Sequence, residues 1–137
     1  MTPIRHPIRV RYGECDPQGV VFNANYLAYN DVAAIELWRA SLGGYDELPR
    51  QHGVDVLVAE ITVRYLQPLF FDDEVEIEVG VRELGNTSMN LGARIWRGKE
   101  IATEISTRSV FIVPEEKTKV SIPDAVRERL EPFLIDW

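Results

Sequence analysis

Residues 23–44 have the sequence NANYLAYNDVAAIELWRASLGG, and no other segment of the chain constrains the architecture as strongly. Residues 23–42 lack proline and are rich in Ala, Leu, Ile and Trp, which predicts a helix of several turns. The Gly43-Gly44 pair is expected to end this helix as a C-cap. Because apolar residues cover most of its circumference, we expect the helix to be buried on most sides.

The rest of the chain is dominated by apolar and polar residues that alternate with a period of two, the pattern of half-buried strands. This alternation predicts strands over residues 4–12, 54–66, 74–82, 88–95 and 100–113. Hairpin turns are predicted at 84–87 and 96–99. Ser121 is the expected N-cap of a short C-terminal helix that has Asp124 in its first turn.

The predicted order is one strand, one long apolar helix and four further strands joined mostly by hairpins. It favours an α+β protein, in which a curved antiparallel sheet of about five strands wraps around the helix. We assign residues 1–137 to a single domain. A single sheet leaves edge strands that a second subunit can cover, so a homo-oligomer is expected, as a homodimer or homotetramer.

Composition excludes several classes of function. The net charge of −7 argues against a broad basic face for nucleic acid or for an anionic membrane. One cysteine and two histidines are too few for a structural zinc site, and no metal is expected. Residues 1–10 lack the apolar core of a signal peptide and no stretch is long enough to span a bilayer, so we expect a cytoplasmic protein.

The segment that precedes the helix is the richest in chemistry. Residues 12–26, YGECDPQGVVFNANY, put Asp16 a few residues before the helix start, where free backbone N–H groups and the positive end of the dipole collect. Such a site can stabilise an oxyanion while the carboxylate attacks a carbonyl carbon or activates water. A purely structural explanation also exists, because Asp-Pro-x-Gly is a common type I turn, and Asn23 and Asn25 suit helix N-caps.

The run ECDPQGVVFNANYLAYNDVAAIELWR also resembles the signature of the 4-hydroxybenzoyl-CoA thioesterase-like branch of the hotdog superfamily, D-x-x-G-x-V-x-x-x-x-Y. Asp16, Gly19, Val21 and Tyr26 occupy its matching positions. The later stretches ITVRYLQPLFFDDEVEIEV, ELGNTSMNLGARIW and ATEISTRSVFIV resemble the strands of that family. The resemblance covers roughly residues 5–113, and it implies a hotdog fold with acyl-CoA thioesterase activity.

The resemblance implies a role for Asp16 as catalytic nucleophile or general base, with the backbone N–H near Asn23 polarising the carbonyl. Gly19 and Tyr26 follow from the same motif as substrate-binding candidates. Asp31 matches an acid near the acyl or dimer-interface side of the family. Because Asp31 also interrupts an apolar helix face, a satisfied structural acid is an equal alternative.

Weaker candidates come from the strands that approach the thioester or pantetheine arm in the family. These are Thr62, Arg64 and Ser88 as substrate contacts, and Arg82, Arg94, Arg97, Lys99 and Arg108 as contacts of the coenzyme A phosphates. No cofactor is expected beyond the coenzyme A of the substrate. Two alternatives stay open: hydrolysis of acyl groups on acyl carrier protein, and a non-catalytic hotdog domain that only binds an acyl ligand.

Overall fold

The computed structural model describes residues 3–137; Met1 and Thr2, which the single-domain assignment includes, lie outside the described residues. Five strands form one antiparallel sheet in the order β1-β3-β4-β5-β2. Their bounds are β1 Ile4–Arg9, β2 Asp55–Tyr65, β3 Glu74–Leu84, β4 Ser88–Arg97 and β5 Glu100–Ile112. The helices are α1 Asn25–Leu42, α2 Glu47–His52 and α3 Asp124–Leu130. The predicted α+β class and five-stranded sheet are confirmed, and the single domain stays a prediction.

One face of the sheet packs against α1, and we call it the inner face. It carries Met89, Leu91, Ala93 and Ile95 of β4, all buried, together with alternate residues of the neighbouring strands. On the helix, Tyr26, Ala33 and Leu37 are among the buried partners. The strands predicted from the period-two alternation therefore form, and they turn one complete set of apolar side chains toward the helix.

The helix is less enclosed than its composition predicts. Leu27, Val32 and Ile35 of α1 stay exposed, and we call this the outer side of the helix. The expectation of burial on most sides is therefore wrong for a single copy of the chain. A surface helix normally turns polar residues outward, so an exposed apolar side of this kind is unusual for a single chain.

The opposite, outer face of the sheet is not simply a solvated charged surface. The last residues of the chain cross it, with the Ile135 N–H donating to the Val81 carbonyl oxygen at 2.9 Å. Gly80 makes room for this segment, because a Cβ there would lie 2.4 Å from Ile135 Cγ2. Glu78 lies on this face by its alternation with apolar residues of β3, yet it is 5% exposed and accepts hydrogen bonds from Arg94 and Trp96.

Several element boundaries differ from the sequence prediction. The first strand ends at Arg9 and a 3-10 turn follows at Tyr12–Glu14. The long helix begins at Asn25 rather than residue 23, and Gly43 ends it in the left-handed conformation, as predicted. Pro123, not Ser121, is the N-cap of α3. The short helix α2 was not predicted, because six residues that include a proline give little periodic signal.

Candidate active site

Asp16 lies in a tight loop that is fastened just before α1. Cys15 and Val21 form an antiparallel bridge across the base of the loop. The Asp16 N–H donates to the Val20 carbonyl oxygen at 2.8 Å, and the Phe22 N–H donates to the Glu14 carbonyl oxygen at 2.9 Å. The base of the loop is therefore closed by hydrogen bonds, and the chain that leaves it enters α1 within a few residues.

The turn at Asp16 has the structure that its sequence predicts. Asp16 Oδ1 accepts a hydrogen bond from the Gln18 N–H at 2.8 Å, and the Gly19 N–H donates to the Asp16 carbonyl oxygen at 2.9 Å. Gly19 has φ of 82°, a conformation that glycine adopts without a steric penalty. Asp16 itself is half-buried, and among residues 3–137 its Oδ2 has no hydrogen-bond partner. The turn therefore uses one carboxylate oxygen and leaves the other free.

The start of α1 presents unpaired backbone donors. Ala24 is the N-cap and makes no side-chain capping bond, so the interpretation of Asn23 and Asn25 as N-caps is wrong. Asn25 Nδ2 instead donates to the Glu14 carbonyl oxygen at 2.7 Å. Within the described residues, the N–H groups of Asn23 and Ala24 have no backbone acceptor. Together with the helix dipole, these N–H groups favour negative charge at this point.

A tyrosine from β2 fixes the peptide that carries one of these donors. Tyr65 Oη donates to the Asn23 carbonyl oxygen at 2.8 Å. Since that carbonyl and the Ala24 N–H belong to one planar peptide unit, the bond also sets the direction of the N–H. An open cavity of about 280 Å³ lies here, lined by Asn23, Tyr26, Tyr65 and Gln67 among others; Asp16 is not among its lining residues.

We expect Tyr65→Phe to lower kcat about 3- to 10-fold with little change in KM, because a freed peptide no longer aims its N–H at the reacting oxygen. Steady-state hydrolysis of an acyl-CoA by the variant would measure this. Tyr12→Phe is the control, since the Tyr12 side chain is 80% exposed and lies on the 3-10 turn. Equal kcat for wild type and Tyr65→Phe would contradict the role of the bond.

Tyr26 supports the helix start by packing. It is 3% exposed and makes edge-to-face contacts with Tyr29 and Tyr65, with ring centroids 5.8 and 5.1 Å apart. Burial raises the pKa of the Tyr26 phenol, so it stays neutral at physiological pH. Its assignment as a substrate-binding residue stays a prediction, and in the single chain its ring belongs to the core.

Asp31 lies on the exposed side of α1 and not on a buried face, so the expected desolvation cost does not arise in a single copy. It borders a cavity of about 370 Å³ between α1 and the inner face of the sheet. Asn30, Ile35 and Trp38 line the same cavity from the helix, and Thr107 and Ser109 line it from β5. Asn30 Nδ2 donates to Thr107 Oγ1 at 2.8 Å. The space is mainly apolar with a few polar groups, as binding pockets usually are.

Three other candidates lie away from this region. In the antiparallel pairing of β2 with β5, Thr62 lies opposite Ser106 and Arg64 lies opposite Glu104. These pairs alternate with the pairs of Thr107 and Ile105, which point to the inner face. Thr62 and Arg64 therefore point to the outer face. Ser88 begins β4 beside the turn at Gly85, also on the outer side. The structure does not bring these residues to Asp16 within one chain, and their role in substrate binding stays a prediction.

The basic candidates for phosphate contacts differ in how far they are already engaged. Arg94 pairs with Glu78, and Arg82 Nε donates to the Trp137 carbonyl oxygen at 2.7 Å. Arg97 donates to the Pro68 carbonyl oxygen at 2.8 Å, beside the cavity at the helix start. Lys99 and Arg108 are exposed. Lys99 and Arg108 therefore keep the greater freedom to meet a phosphate.

Sequence reasoning missed two residues of this region, Glu14 and Tyr65. Each takes part in the site through a hydrogen bond to a residue distant in sequence. Glu14 accepts from Tyr29, and Tyr65 donates to Asn23. The inward alternation of Tyr65 with Ile61 and Val63 was the one available signal.

Residues 3–137 contain no cluster of three or more His, Cys, Asp or Glu side chains suited to a metal ion. Within the same residues, no helix combines the length and apolar character that crossing a bilayer requires.

Comparison with known proteins gives consistent matches over nearly the whole chain. The family model described as the thioesterase-like superfamily matches residues 10–130. The acyl-CoA thioester hydrolase YbgC of Escherichia coli O6:H1 is 28% identical over 126 residues, which cover 91% of this chain and 93% of that protein. The 1,4-dihydroxy-2-naphthoyl-CoA hydrolase of Trichodesmium erythraeum is 26% identical over 131 residues, covering 90% and 92%.

A solved structure agrees in both sequence and shape. It is a thioesterase of Thermus thermophilus complexed with coenzyme A and Zn, with 29% sequence identity and a TM-score of 0.81. The match covers 94% of this chain and 92% of that one. The agreement in fold therefore extends over nearly the whole chain.

Proposed function

Because this chain belongs to the thioesterase-like superfamily, we propose that it hydrolyses acyl-CoA thioesters to a free acid and coenzyme A. The relatives named as acyl-CoA and naphthoyl-CoA hydrolases support the same class of reaction. The observation that carries the proposal is the Asp16 loop, whose hydrogen bonds tie a carboxylate with a free Oδ2 to the residues that lead into α1, where two backbone N–H groups have no acceptor.

In this proposal the carbonyl oxygen of the thioester accepts a hydrogen bond from the backbone N–H of Asn23 or Ala24. Negative charge that develops on that oxygen is stabilised by these fixed donors and by the helix dipole. Asp16 Oδ2 acts by one of two routes. As a general base it takes a proton from water, and the hydroxide adds to the carbonyl carbon. As a nucleophile it forms an anhydride, which water then hydrolyses.

Both routes break and form the same bonds overall. The C–S bond breaks, the acyl carbon gains an oxygen from water, and the coenzyme A thiolate leaves and is protonated. No metal or redox group is needed for any of these steps, and we propose that the enzyme uses none beyond the coenzyme A of its substrate. We assign the acyl group to the apolar cavity beside α1, with Asp31 at its rim, and we keep Gly19 of the loop and Tyr26 of α1 as substrate-binding candidates.

Thiol release from a panel of acyl-CoAs, followed with a thiol-detecting dye, tests this function. The panel should contain short, medium and aromatic acyl groups, each assayed with and without a chelator. Release that a chelator leaves unchanged is the expected result. Tight binding of an acyl-CoA without release of thiol would instead establish the non-catalytic alternative.

Presenting the same acyl group on coenzyme A and on acyl carrier protein separates the two enzymatic alternatives. Because the protein has a net charge of −7, we expect the acidic carrier protein to be the poorer substrate.

We also propose that the protein assembles into a homodimer or homotetramer and that it acts in the cytoplasm. The two edge strands, β1 and β2, differ in how well they could pair with a second subunit. The β1 edge carries Pro7 and the charged residues Arg5 and Arg9, features that oppose strand pairing. The β2 edge carries Leu57, which is 45% exposed, and Val58, which is 57% exposed. We propose that a second copy covers β2 and the apolar outer side of α1.

We expect Leu57→Asp to shift the protein toward monomer and to lower activity, since a charge at an apolar interface is costly to desolvate. Sedimentation velocity over a range of protein concentrations would measure the shift. Thr118→Asp, in the exposed turn after β5, adds the same charge away from both edges and serves as the control. A Leu57→Asp variant that assembles like wild type would exclude β2 as the interface.

A further inference from the structure

Glu14 is the residue at which the hydrogen bonds around the Asp16 loop meet. Its backbone carbonyl oxygen accepts from the Phe22 N–H at 2.9 Å and from Asn25 Nδ2 at 2.7 Å. Its carboxylate Oε1 accepts from Tyr29 Oη at 2.8 Å and from the Arg11 N–H at 2.8 Å. One residue thus joins the 3-10 turn, the base of the loop and the first two turns of α1.

We propose that Glu14 is a positioning residue that fixes Asp16 relative to the first turn of α1 without touching the substrate. The inference rests on the proposed function, because it concerns the geometry of that site. Asp16 and the donors of the helix start must engage the same carbonyl group. A misplacement of about 1 Å between groups that react together can cost on the order of 10²-fold in rate.

The attachment has two points on one face of the helix. Asn25 and Tyr29 are four residues apart, so their side chains lie above one another on α1. Asn25 holds the Glu14 main chain and Tyr29 holds its carboxylate. Two bonds from successive turns resist rotation of the loop as well as translation, which a single bond would not.

The Tyr29 contact is a specific hydrogen bond rather than general packing. Tyr29 is buried in the core, and its hydroxyl group reaches out to the Glu14 carboxylate. Burial, followed by the hydrogen bond and charge of Glu14, raises the pKa of Tyr29, so its hydroxyl group remains a donor. By contrast, Arg11 Nη1 lies 3.7 Å from Glu14 Oε2 and its side chain is 83% exposed, so this ion pair contributes little.

Steady-state kinetics of Glu14→Ala, Glu14→Gln and Tyr29→Phe with an acyl-CoA that the wild type hydrolyses would test the proposal. We expect Glu14→Ala to lower kcat at least about 10-fold and Tyr29→Phe about 3- to 10-fold, with KM within about 2-fold, because geometry and not binding is lost. Glu14→Gln should stay within about 3-fold of wild type, since its amide oxygen can accept both hydrogen bonds.

Glu47→Ala is the matched control. Like Glu14, Glu47 is a largely buried glutamate paired with an arginine three residues away, but it lies on α2, away from the loop. Its loss should leave kcat unchanged, and the melting temperatures of the two alanine variants show how far each is destabilised. Equal losses of kcat in Glu14→Ala and Glu47→Ala would attribute the effect to general destabilisation and would overturn the proposal.

Two further results would also overturn it. Wild-type kcat in both Glu14→Ala and Tyr29→Phe would show that the contact does not matter. A loss in Glu14→Gln as large as in Glu14→Ala, with a changed pH profile of kcat, would make Glu14 an acid–base group instead. If Asp16→Asn is inactive while these variants match wild type, this inference alone fails; if wild type releases no thiol from any acyl-CoA, the proposed function fails together with it.

Discussion

Replacing Asp16 by asparagine is expected to lower kcat for acyl-CoA hydrolysis by about 10²- to 10⁴-fold, the usual contribution of a positioned base or nucleophile. The change removes the negative charge and leaves the fold intact. Asparagine keeps a carbonyl oxygen that can accept the Gln18 N–H, and it also suits the first position of the turn. Thiol release under saturating acyl-CoA would measure the loss.

Circular dichroism and melting temperature should show Asp16→Asn folded and as stable as wild type within error. Asp16→Ala should be equally inactive and slightly less stable, since it also loses the turn hydrogen bond. Retention of wild-type kcat in Asp16→Asn would remove this carboxylate from the mechanism and would return Asp16 to a structural turn residue.

The largest expected effect on stability belongs to Glu78, on the outer face of the sheet. Its carboxylate is almost fully buried and accepts hydrogen bonds from Arg94 Nε and Trp96 Nε1, both at 3.0 Å. Arg94 Nη2 lies 2.9 Å from the same Glu78 Oε1. Glu78→Ala leaves the partly buried Arg94 without its counter-charge, and breaking such a pair costs up to about 3 kcal/mol in free energy of unfolding. Urea denaturation at pH 7 would measure it.

The same residue gives the stability a predictable pH dependence. Burial alone would raise the pKa of Glu78, but the hydrogen bonds from Trp96 and Arg94 and the charge of Arg94 outweigh it and lower the pKa below 4.5. A carboxyl group whose pKa is lowered by folding stabilises the protein above its unfolded-state pKa. That contribution is lost as the pH falls from about 4.5 through the folded-state pKa.

The difference in unfolding free energy between wild type and Glu78→Gln should therefore be largest near neutral pH and shrink in acid. Glu76→Gln is the control, because Glu76 lies on the same strand, two residues away, and is exposed beside Arg5. A difference for Glu78→Gln that does not change with pH would show that the carboxylate is not the stabilising group.

Patterns within short windows predicted much of the fold. The alternation in β3 and β4 gave the correct strands because a side-chain period of two leaves one buried face. Gly43 ended the long helix for a local conformational reason. The Asp16 turn also formed as predicted, since Asp, Pro and Gly specify it within four residues. The family prediction rested on the same motif, and the match to the thioesterase-like superfamily confirms it.

The errors arose where partners distant in sequence decide the outcome. Asn25 lies at the helix start, as an N-cap would, but its side chain turns back to the Glu14 carbonyl oxygen. Glu78 continues a row of outward-pointing acids, yet Arg94 and Trp96 bury it. Asp31 was expected on a buried face because apolar residues cover most of the helix circumference, and in the single chain it is exposed.

The sequence by itself determined most of the secondary structure, the α+β class and the location of a carboxylate just before a helix, because these depend on local periodicity, turn residues and a contiguous motif. Only the tertiary structure decided which groups meet on either side of the loop that carries it. Tyr29 bonds to Glu14 before the loop and Tyr65 bonds to Asn23 after it, across 15 and 42 residues of chain. Such contacts depend on how the sheet packs against the helix, and no local pattern encodes them.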